Sequence, residues 1–478
     1  MPGATKDIGS RLASIVEASR IRTEPAALAE YAIDEVTPRA IAKAQSAAEA
    51  AEIVRFAILE NLAIIAVGSR SKLGIGMPPS RYDIALDMTA LHQIAHYDPG
   101  DLTLSVDAGC TLATITKALT PQNQFLPLPQ AFGPERTVGG TIASGVDSHL
   151  RQFYGTARDF MVGAEFIDGT GANCKSGGRV VKNVTGYDLH KVLIGSLSTL
   201  AVITRLNFRT FPAFSSGDSR AETFVASFAD AKSAVNFRQR IAASSFTPLA
   251  VEILSPEFSK LISAIDPSAR EQPSEKLGVW FSPEHWHVVT YFQGTAELRA
   301  RYATALREFS ESADAIGARS LAGKKPGGKD NEAFSEVHAL HSFAFDAIRY
   351  VQNASPAATI FKIAQLPAKL PELFDALANT AKRANLPHGL FARGMGVVYF
   401  ALLPKSNGEV AMAQLTQTAS SIFALCGAQA ATVSIQSCPT ALKRVIPILG
   451  TPRPDALAMR RLKAAFDPRG IFAPGRLF

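Results

Sequence analysis

The sequence predicts an α+β protein of two or more domains, and three observations carry that expectation. At 478 residues the chain is longer than one ordinary core organises. Residues 62–67 (LAIIAV) form an apolar run that delivers the chain into Gly68-Ser69-Arg70-Ser71-Lys72-Leu73-Gly74-Ile75-Gly76, a strand feeding a Gly/Ser-rich loop. From residue 214 the pattern changes. Helix-like stretches at 228–242, 296–310 and 370–384 alternate with strand-like runs at 249–254, 288–292, 359–363 and 397–403. That alternation predicts a mixed domain with helices on one face of an antiparallel sheet.

Taken in order, residues 1–30 are alanine-rich with helical spacing (Ile8, Leu12, Ile15, Val16) and predict a peripheral helix. Residues 46–61 predict a second helix. Ser46 is placed to cap it, Glu49 follows at capping-box distance, and Ala50, Ile53, Val54, Ala57 and Ile58 form one apolar stripe. Residues 84–88 and 102–106 predict strands, and 111–119 a helix. The run Thr137-Val138-Gly139-Gly140-Thr141 reads as a glycine-bearing turn, followed by the small residues Ile142-Ala143-Ser144-Gly145. Glycines let backbone N–H groups approach a ligand, and successive N–H groups make an anion-binding concavity. Residues 163–167 then enter a tight hairpin turn at Asp168-Gly169-Thr170-Gly171. The loop at 323–330 (GKKPGGKD) reads as an insertion.

Composition narrows the function classes. The net charge of +7 is spread along the chain without the aromatic interleaving of a nucleic-acid groove. Cys110, Cys174, Cys426 and Cys438 are widely separated, which argues against an iron–sulfur or zinc site built by this chain alone. His92 and His96 lack a third ligand nearby, and His285/His287 and His338/His341 stand in no recognised metal context, so the expectation is no metal. No apolar run reaches the ~20 residues of a membrane helix. Residues 409–443, which hold no charge between Glu409 and Lys443, read as a buried helix plus strand. With no signal-peptide pattern, the expected location is the cytoplasm, with any contact to the inner face of the cell membrane made through partners. The Gly68–Lys72 loop lacks the GK[ST] ending of a P-loop and the GxGxxG of a dinucleotide fingerprint.

The order of Gly68-Ser69-Arg70-Ser71-Lys72, Thr137-Val138-Gly139-Gly140, Tyr154-Gly155-Thr156-Ala157-Arg158-Asp159, residues 180–189 (VVKNVTGYDL) and Gly195-Ser196-Leu197-Ser198-Thr199-Leu200-Ala201-Val202-Ile203-Thr204 resembles the vanillyl-alcohol-oxidase-like (PCMH-type) flavoproteins. Within that superfamily it is most similar to the FAD-binding E subunit of bacterial glycolate oxidases. The tail at residues 460–476 resembles the segment that closes these proteins. The resemblance implies a two-subdomain FAD-binding domain over residues 31–213 and an α+β cap domain over 214–440. A C-terminal segment over 441–478 would pack back on the FAD domain. The family usually carries glycine where Arg70 and Ala201 stand, Glu-Gly or Leu-Gly where Leu197-Ser198 stands, and asparagine where Ala473 stands.

The same resemblance implies which residues meet the cofactor. The FAD pyrophosphate would lie between Gly68, Ser69, Arg70, Ser71, Lys72 and Thr137, Val138, Gly139, Gly140. Ser144, Gly145 and the backbone near Val202 and Ile203 would line the adenine or flavin. Lys182, Asn183, Gly186 and Tyr187 would approach the isoalloxazine. Covalent attachment in this superfamily uses His or Cys in the glycine-rich loops; the two matching loops have neither, so the expected FAD is dissociable. Implied partners are a catalytic FAD-containing glycolate oxidase subunit, an iron–sulfur subunit and a small 2-hydroxy acid, with electrons passing on to quinone. Two other readings stay open: a self-sufficient FAD-dependent dehydrogenase of a hydroxy acid or sugar-like alcohol, and a degenerate flavin-fold scaffold. Arg393, His388, Tyr187 and His190 are candidates for substrate contact, and no general base is assigned.

Overall fold

The computed structural model describes residues 8–129, 133–146, 148–179, 186–213, 220–264, 281–322, 355, 357–450 and 455–477. The chain divides into two compact units. The first comprises Met1–Asp147, Thr156–Pro212 and Thr451–Phe478; the second comprises Ser148–Gly155 and Ala213–Gly450. Residues 148–155 and 441–450 therefore lie with the second unit.

In the first unit the strands are β1 (Ile21–Arg22), β2 (Ala40–Lys43), β3 (Ile64–Val67), β4 (Ile84–Asp87), β5 (Ile94–Asp98), β6 (Thr103–Asp107), β7 (Gln124–Phe125), β8 (Met161–Ile167), β9 (Asn173–Gly177), β10 (Val202–Arg209) and β11 (Phe211–Pro212). Among the described residues they form a sheet ordered β1-β2-β4-β3, a second ordered β5-β6-β10-β8-β9, and the β7–β11 pair. In the first sheet β2, β4 and β3 run parallel, and parallel strands read as unbroken apolar runs because both faces are covered. Helix Ala47–Leu59 supplies one cover, burying Ala50, Ile53, Val54 and Ala57. Its start is fixed by the side chains the sequence offered: Ser46 Oγ accepts from Glu49 N at 3.1 Å. Glu49 Oε2 accepts from Gln45 N at 2.9 Å. Burying Ile53 and Val54 stabilises the fold by about 1.5–3 kcal/mol each.

The N-terminal stretch differs from the single peripheral helix expected. It is a short helix Ile8–Leu12, strand β1 and a second short helix Pro25–Ala29. Ile8, Leu12 and Val16 are buried in the core of the first sheet. Pro25 explains the break, since it is suited to a helix start and not to its interior.

The edge strand β3 is covered by the C-terminal segment. Ile64 N donates to Ile471 O at 2.9 Å and Ala473 N donates to Ile64 O at 3.0 Å. Phe472 forms the matching parallel bridge. An edge left bare would be a pairing hazard. Lys463 fastens the same segment, its Nζ donating to Thr199 O at 2.7 Å, to Phe472 O at 2.8 Å and to the buried Asp467 carboxylate. The predicted 168–171 turn joins β8 to β9, with Asp168 Oδ1 accepting from Thr170 N at 2.9 Å and Ala172 N at 3.1 Å.

In the second unit the strands are β12 (Arg220–Phe228), β13 (Ala250–Leu254), β14 (Trp286–Gly294), β15 (Gly317–Ala322), β16 (Thr359–Ala364), β17 (His388–Arg393), β18 (Val397–Leu402) and β19 (Thr432–Ser437). Among the described residues they form one sheet, antiparallel throughout, ordered β15-β12-β14-β13-β17-β18-β16-β19. Helices Ala231–Ala243, Ala296–Glu311, Leu370–Arg383 and Glu409–Ala428 lie on one face, shown by Phe224 and Phe228 against Phe237, Phe292 against Tyr302, Trp286 against Phe374 and Phe361 against Phe423. The expectation of helices on one face alone is corrected by Pro256–Ala264. It packs on the opposite face, where Phe258 stacks on Phe391 at 5.7 Å between ring centres.

Candidate cofactor-binding site

At the end of β3, Val67 hands the chain to the 68–76 loop, which lies beside the start of helix Val138–Ser144. Between them is an open cleft of ≈ 530 Å³, its mouth included. Gly68, Ser69, Arg70, Ser71 and Lys72 line it from the loop, Thr137, Gly140 and Ser144 from the helix, and Leu197, Ser198 and Arg476 from segments that close on it.

The approach of loop to helix requires glycine at 68. A Cβ there would sit 2.0 Å from Thr137 Oγ1. That hydroxyl is the helix cap, accepting from Gly140 N at 3.3 Å. Thr137–Gly145 is therefore a capped helix and not the turn expected, with Gly145 ending it at φ +62°. The amides of Val138, Gly139 and Gly140 are already engaged, by Cys110 O, Ala108 O and the Thr137 hydroxyl. Among the described residues, Ser69, Arg70 and Ser71 donate their backbone N–H groups to no protein acceptor. The donors that remain for a ligand thus come from the loop.

Arg70 adopts φ +62°, a conformation most side chains resist. Its guanidinium lies 4.7 Å from the Tyr31 ring centre and 3.4 Å from Glu30 Oε2, contacts that offset the strain. A left-handed residue within a run of N–H groups is how an anion nest is built. Lys72 adds charge: its Nζ donates to Ser71 Oγ at 3.2 Å, and burial together with the nearby Arg136 cation draws its pKa down to about 7. The donor set of loop amides, the Ser69 and Ser71 hydroxyls and Lys72, with the Thr137 hydroxyl across the cleft, fits a diphosphate, while the Ser144 hydroxyl is spent on Thr141 O at 3.0 Å. Among the lining residues there is no His or Cys.

The other expected contacts fall elsewhere. Val138, Val202 and Ile203 are buried in the core, so only their backbone is available to a ligand. Tyr187 is 91% exposed. Lys182 and Asn183 lie outside the described residues, as do His338, His341 and the 323–330 loop. His190 is buried with Nδ1 3.1 Å from Ser176 Oγ, and burial lowers its pKa. His287 is held likewise, between Ser227 Oγ at 2.9 Å and Ser282 O at 2.9 Å. His388 lies 3.9 Å from Glu257. Arg393 is buried in the second unit opposite Glu252 across the β13–β17 ladder, donates to Ser148 O and lies 5.8 Å from the Tyr399 ring centre. His92 and His96 are exposed. Among the described residues no three His, Cys, Asp or Glu side chains are grouped to hold a metal, and no helix is long and apolar enough to cross a membrane.

Sequence reasoning missed the arginines. Arg136 is 1% exposed and Arg476 4% exposed, both in the first unit.

The FAD binding domain family matches residues 38–176, and the C-terminal domain of the FAD linked oxidases matches residues 218–421 and 453–477. The chain belongs to the FAD-linked oxidases. Its cofactor is FAD. Glycolate oxidase subunit GlcE of Escherichia coli is 36% identical over 162 residues, covering 34% of this chain and 46% of that protein. Glycolate oxidase subunit GlcD of Bacillus subtilis is 22% identical over 481 residues, covering 99% of this chain and 97% of that protein. D-2-hydroxyglutarate dehydrogenase of Xanthomonas citri is 30% identical over 203 residues, covering 41% of this chain and 43% of that protein. The match spans less than half the length of the first and third of these relatives. In fold the chain is similar to 4-ethylphenol oxidase from Gulosibacter chungangensis (TM-score 0.73, 14% identity, 98% of this chain and 96% of that one) and to p-cresol methylhydroxylase (TM-score 0.73, 15% identity, 98% and 95%). The vanillyl-alcohol-oxidase-type architecture expected from the sequence is the one present.

Proposed function

We propose that this chain is the FAD-binding subunit, equivalent to the E subunit, of a complex that oxidises a 2-hydroxy acid, glycolate to glyoxylate. One observation carries the reading: the donor-rich cleft at residues 68–72 lies within residues 38–176, which match the FAD binding domain family, in a chain that is 36% identical over 162 residues to a glycolate oxidase subunit. Gly68 to Lys72 hold the diphosphate through loop amides, the Ser69 and Ser71 hydroxyls and the Lys72 cation. Thr137 and Ser198 contribute hydroxyls, and Ser144, the Val138–Gly140 backbone and Gly145 shape the wall. Lys182, Asn183, Gly186 and Tyr187, with the backbone at Val202 and Ile203, are assigned to the remainder of the cofactor. When bound, FAD supplies the two-electron acceptor, and its electrons leave for a partner iron–sulfur subunit and quinone. The FAD is held without a covalent bond, since the two loops that match the family's glycine-rich loops, residues 68–76 and 137–145, hold neither histidine nor cysteine. The complex works in the cytoplasm, with any membrane contact made by its partners.

Anaerobic glycolate is the test. The flavin band of the chain alone should persist, and should bleach once the catalytic flavoprotein subunit is added. Bleaching of the isolated chain would replace this reading with a self-sufficient dehydrogenase, as the name of the D-2-hydroxyglutarate relative would favour. Failure to take up FAD at all would leave a flavin-fold scaffold.

A further inference from the structure

Arg476 is buried and spends its guanidinium on the limb of the cofactor loop that follows Lys72. Its Nη1 donates to Met77 O at 3.0 Å, and its Nη2 donates to Leu73 O at 2.8 Å and to Ile75 O. Asp34 Oδ2 lies 3.9 Å from Nη1. Burial draws the guanidinium down to about 10 while Asp34 raises it, so the side chain stays charged at neutral pH. The backbone joins in, with Met77 N donating to Arg476 O at 2.9 Å. Gly76, at φ +100°, leaves no room for a side chain, since a Cβ would meet Arg476 O at 3.1 Å and Leu197 Cδ1 at 2.7 Å.

A loop that binds an anion must present N–H groups to it and keep its carbonyl oxygens from it, because an oxygen facing a phosphate is repulsive. Three carbonyls at alternate positions on this limb go to one planar cation, whose fork of donors suits that task. We propose that Arg476 is a positioning residue for the cofactor: by gathering the carbonyls of Leu73, Ile75 and Met77, it fixes the loop with the Ser69–Ser71 amides free for the diphosphate. This rests on the reading that FAD occupies the cleft. Arg476 touches the loop and acts through it. Lysine cannot replace it fully, because an ammonium offers its donors from a single point.

The test uses the full chain stripped of flavin and titrated with FAD, ADP and riboflavin. Arg476→Ala should weaken FAD and ADP together by about 30-fold, on the scale of lost charge-assisted hydrogen bonds. Riboflavin, which has no diphosphate, should bind as before. Arg476→Lys should give an intermediate loss of roughly fivefold. Asp34→Asn should weaken FAD and ADP in the same ratio as each other, and Arg461→Ala, on the exposed face of helix Ala456–Phe466, should change nothing. Should Arg476→Ala fail to fold, the Lys and Asn variants carry the same comparison. FAD and ADP within twofold of the parent in every variant that folds, or riboflavin lost in step with them, would overturn the inference. A parent chain that takes neither FAD nor ADP would remove the cofactor reading itself, and the inference with it.

Discussion

Gly68→Ala tests the cleft at its tightest point. The added Cβ would lie 2.0 Å from Thr137 Oγ1. A normal contact needs more than an ångström beyond that, so either the Thr137 side chain turns away or the loop separates from the helix. If Thr137 turns, the cap to Gly140 N is lost, which costs about 1 kcal/mol. The crowding that remains adds roughly 1–3 kcal/mol. Together these predict FAD weakened by about 30- to 1,000-fold if the strain falls on the bound state. Thr137→Ala decides where the strain lies. Without the hydroxyl, the nearest Thr137 atom to the new methyl is the Cβ at 3.1 Å, a contact that a few tenths of an ångström relieves. The double variant should therefore bind FAD better than the two single losses combined would allow, with a coupling of about 1–2 kcal/mol. Flavin fluorescence quenching and thermal melting of all four proteins complete the cycle. Strictly additive losses, or a Gly68→Ala protein that binds and melts like the parent, would refute the argument.

The remaining predictions concern charge and strain around the same cleft. Lys72 has its pKa drawn down to about 7; a bound diphosphate raises it. Affinity gained from the protonated ammonium is therefore fully present below about pH 7 and is lost as pH rises towards the higher pKa of the complex. FAD binding should weaken between pH 7 and 9, at no more than about tenfold per pH unit from one proton, and Lys72→Met should flatten that slope; equal slopes would contradict it. Ser198 holds φ +58° where glycine would be unstrained. Ser198→Gly should stabilise by about 1 kcal/mol, raising the melting temperature by roughly 2–4 °C, and a fall would count against the reading. Lys463→Met would strip the cation from Asp467, whose side chain is 0% exposed. A loss of about 3–5 kcal/mol in chemical denaturation is expected, and a change under 1 kcal/mol would show that the ion pair does not fasten the tail.

Local chemistry was legible where it was self-contained. Ser46 and Glu49 marked a helix start, and the apolar run ending at Val67 marked β3 and the loop beyond it. The Thr137–Gly145 helix was misread because two glycines and a run of small residues mask its periodicity. The signals were present, in Thr137 as a cap and in Val138 and Ile142 one turn apart, both buried. Other features were not local at all. Residues 148–155 join the second unit because Leu150 is buried and Arg151–Tyr154 packs on β13, contacts that no nearby sequence announces. Arg476 reads as a surface charge until a loop about 400 positions away supplies its acceptors. Arg70, standing where the family usually carries glycine, adopts a left-handed backbone while Tyr31 and Glu30 receive its side chain.

The most direct test of the central claim is the stoichiometry and release of flavin from the purified chain. The account predicts one FAD per chain, visible as a yellow protein, moving wholly to the supernatant on acid precipitation. Flavin retained in the pellet would contradict the non-covalent cleft. A chain that stays colourless after incubation with excess FAD would contradict the assignment of residues 68–72 as its diphosphate site.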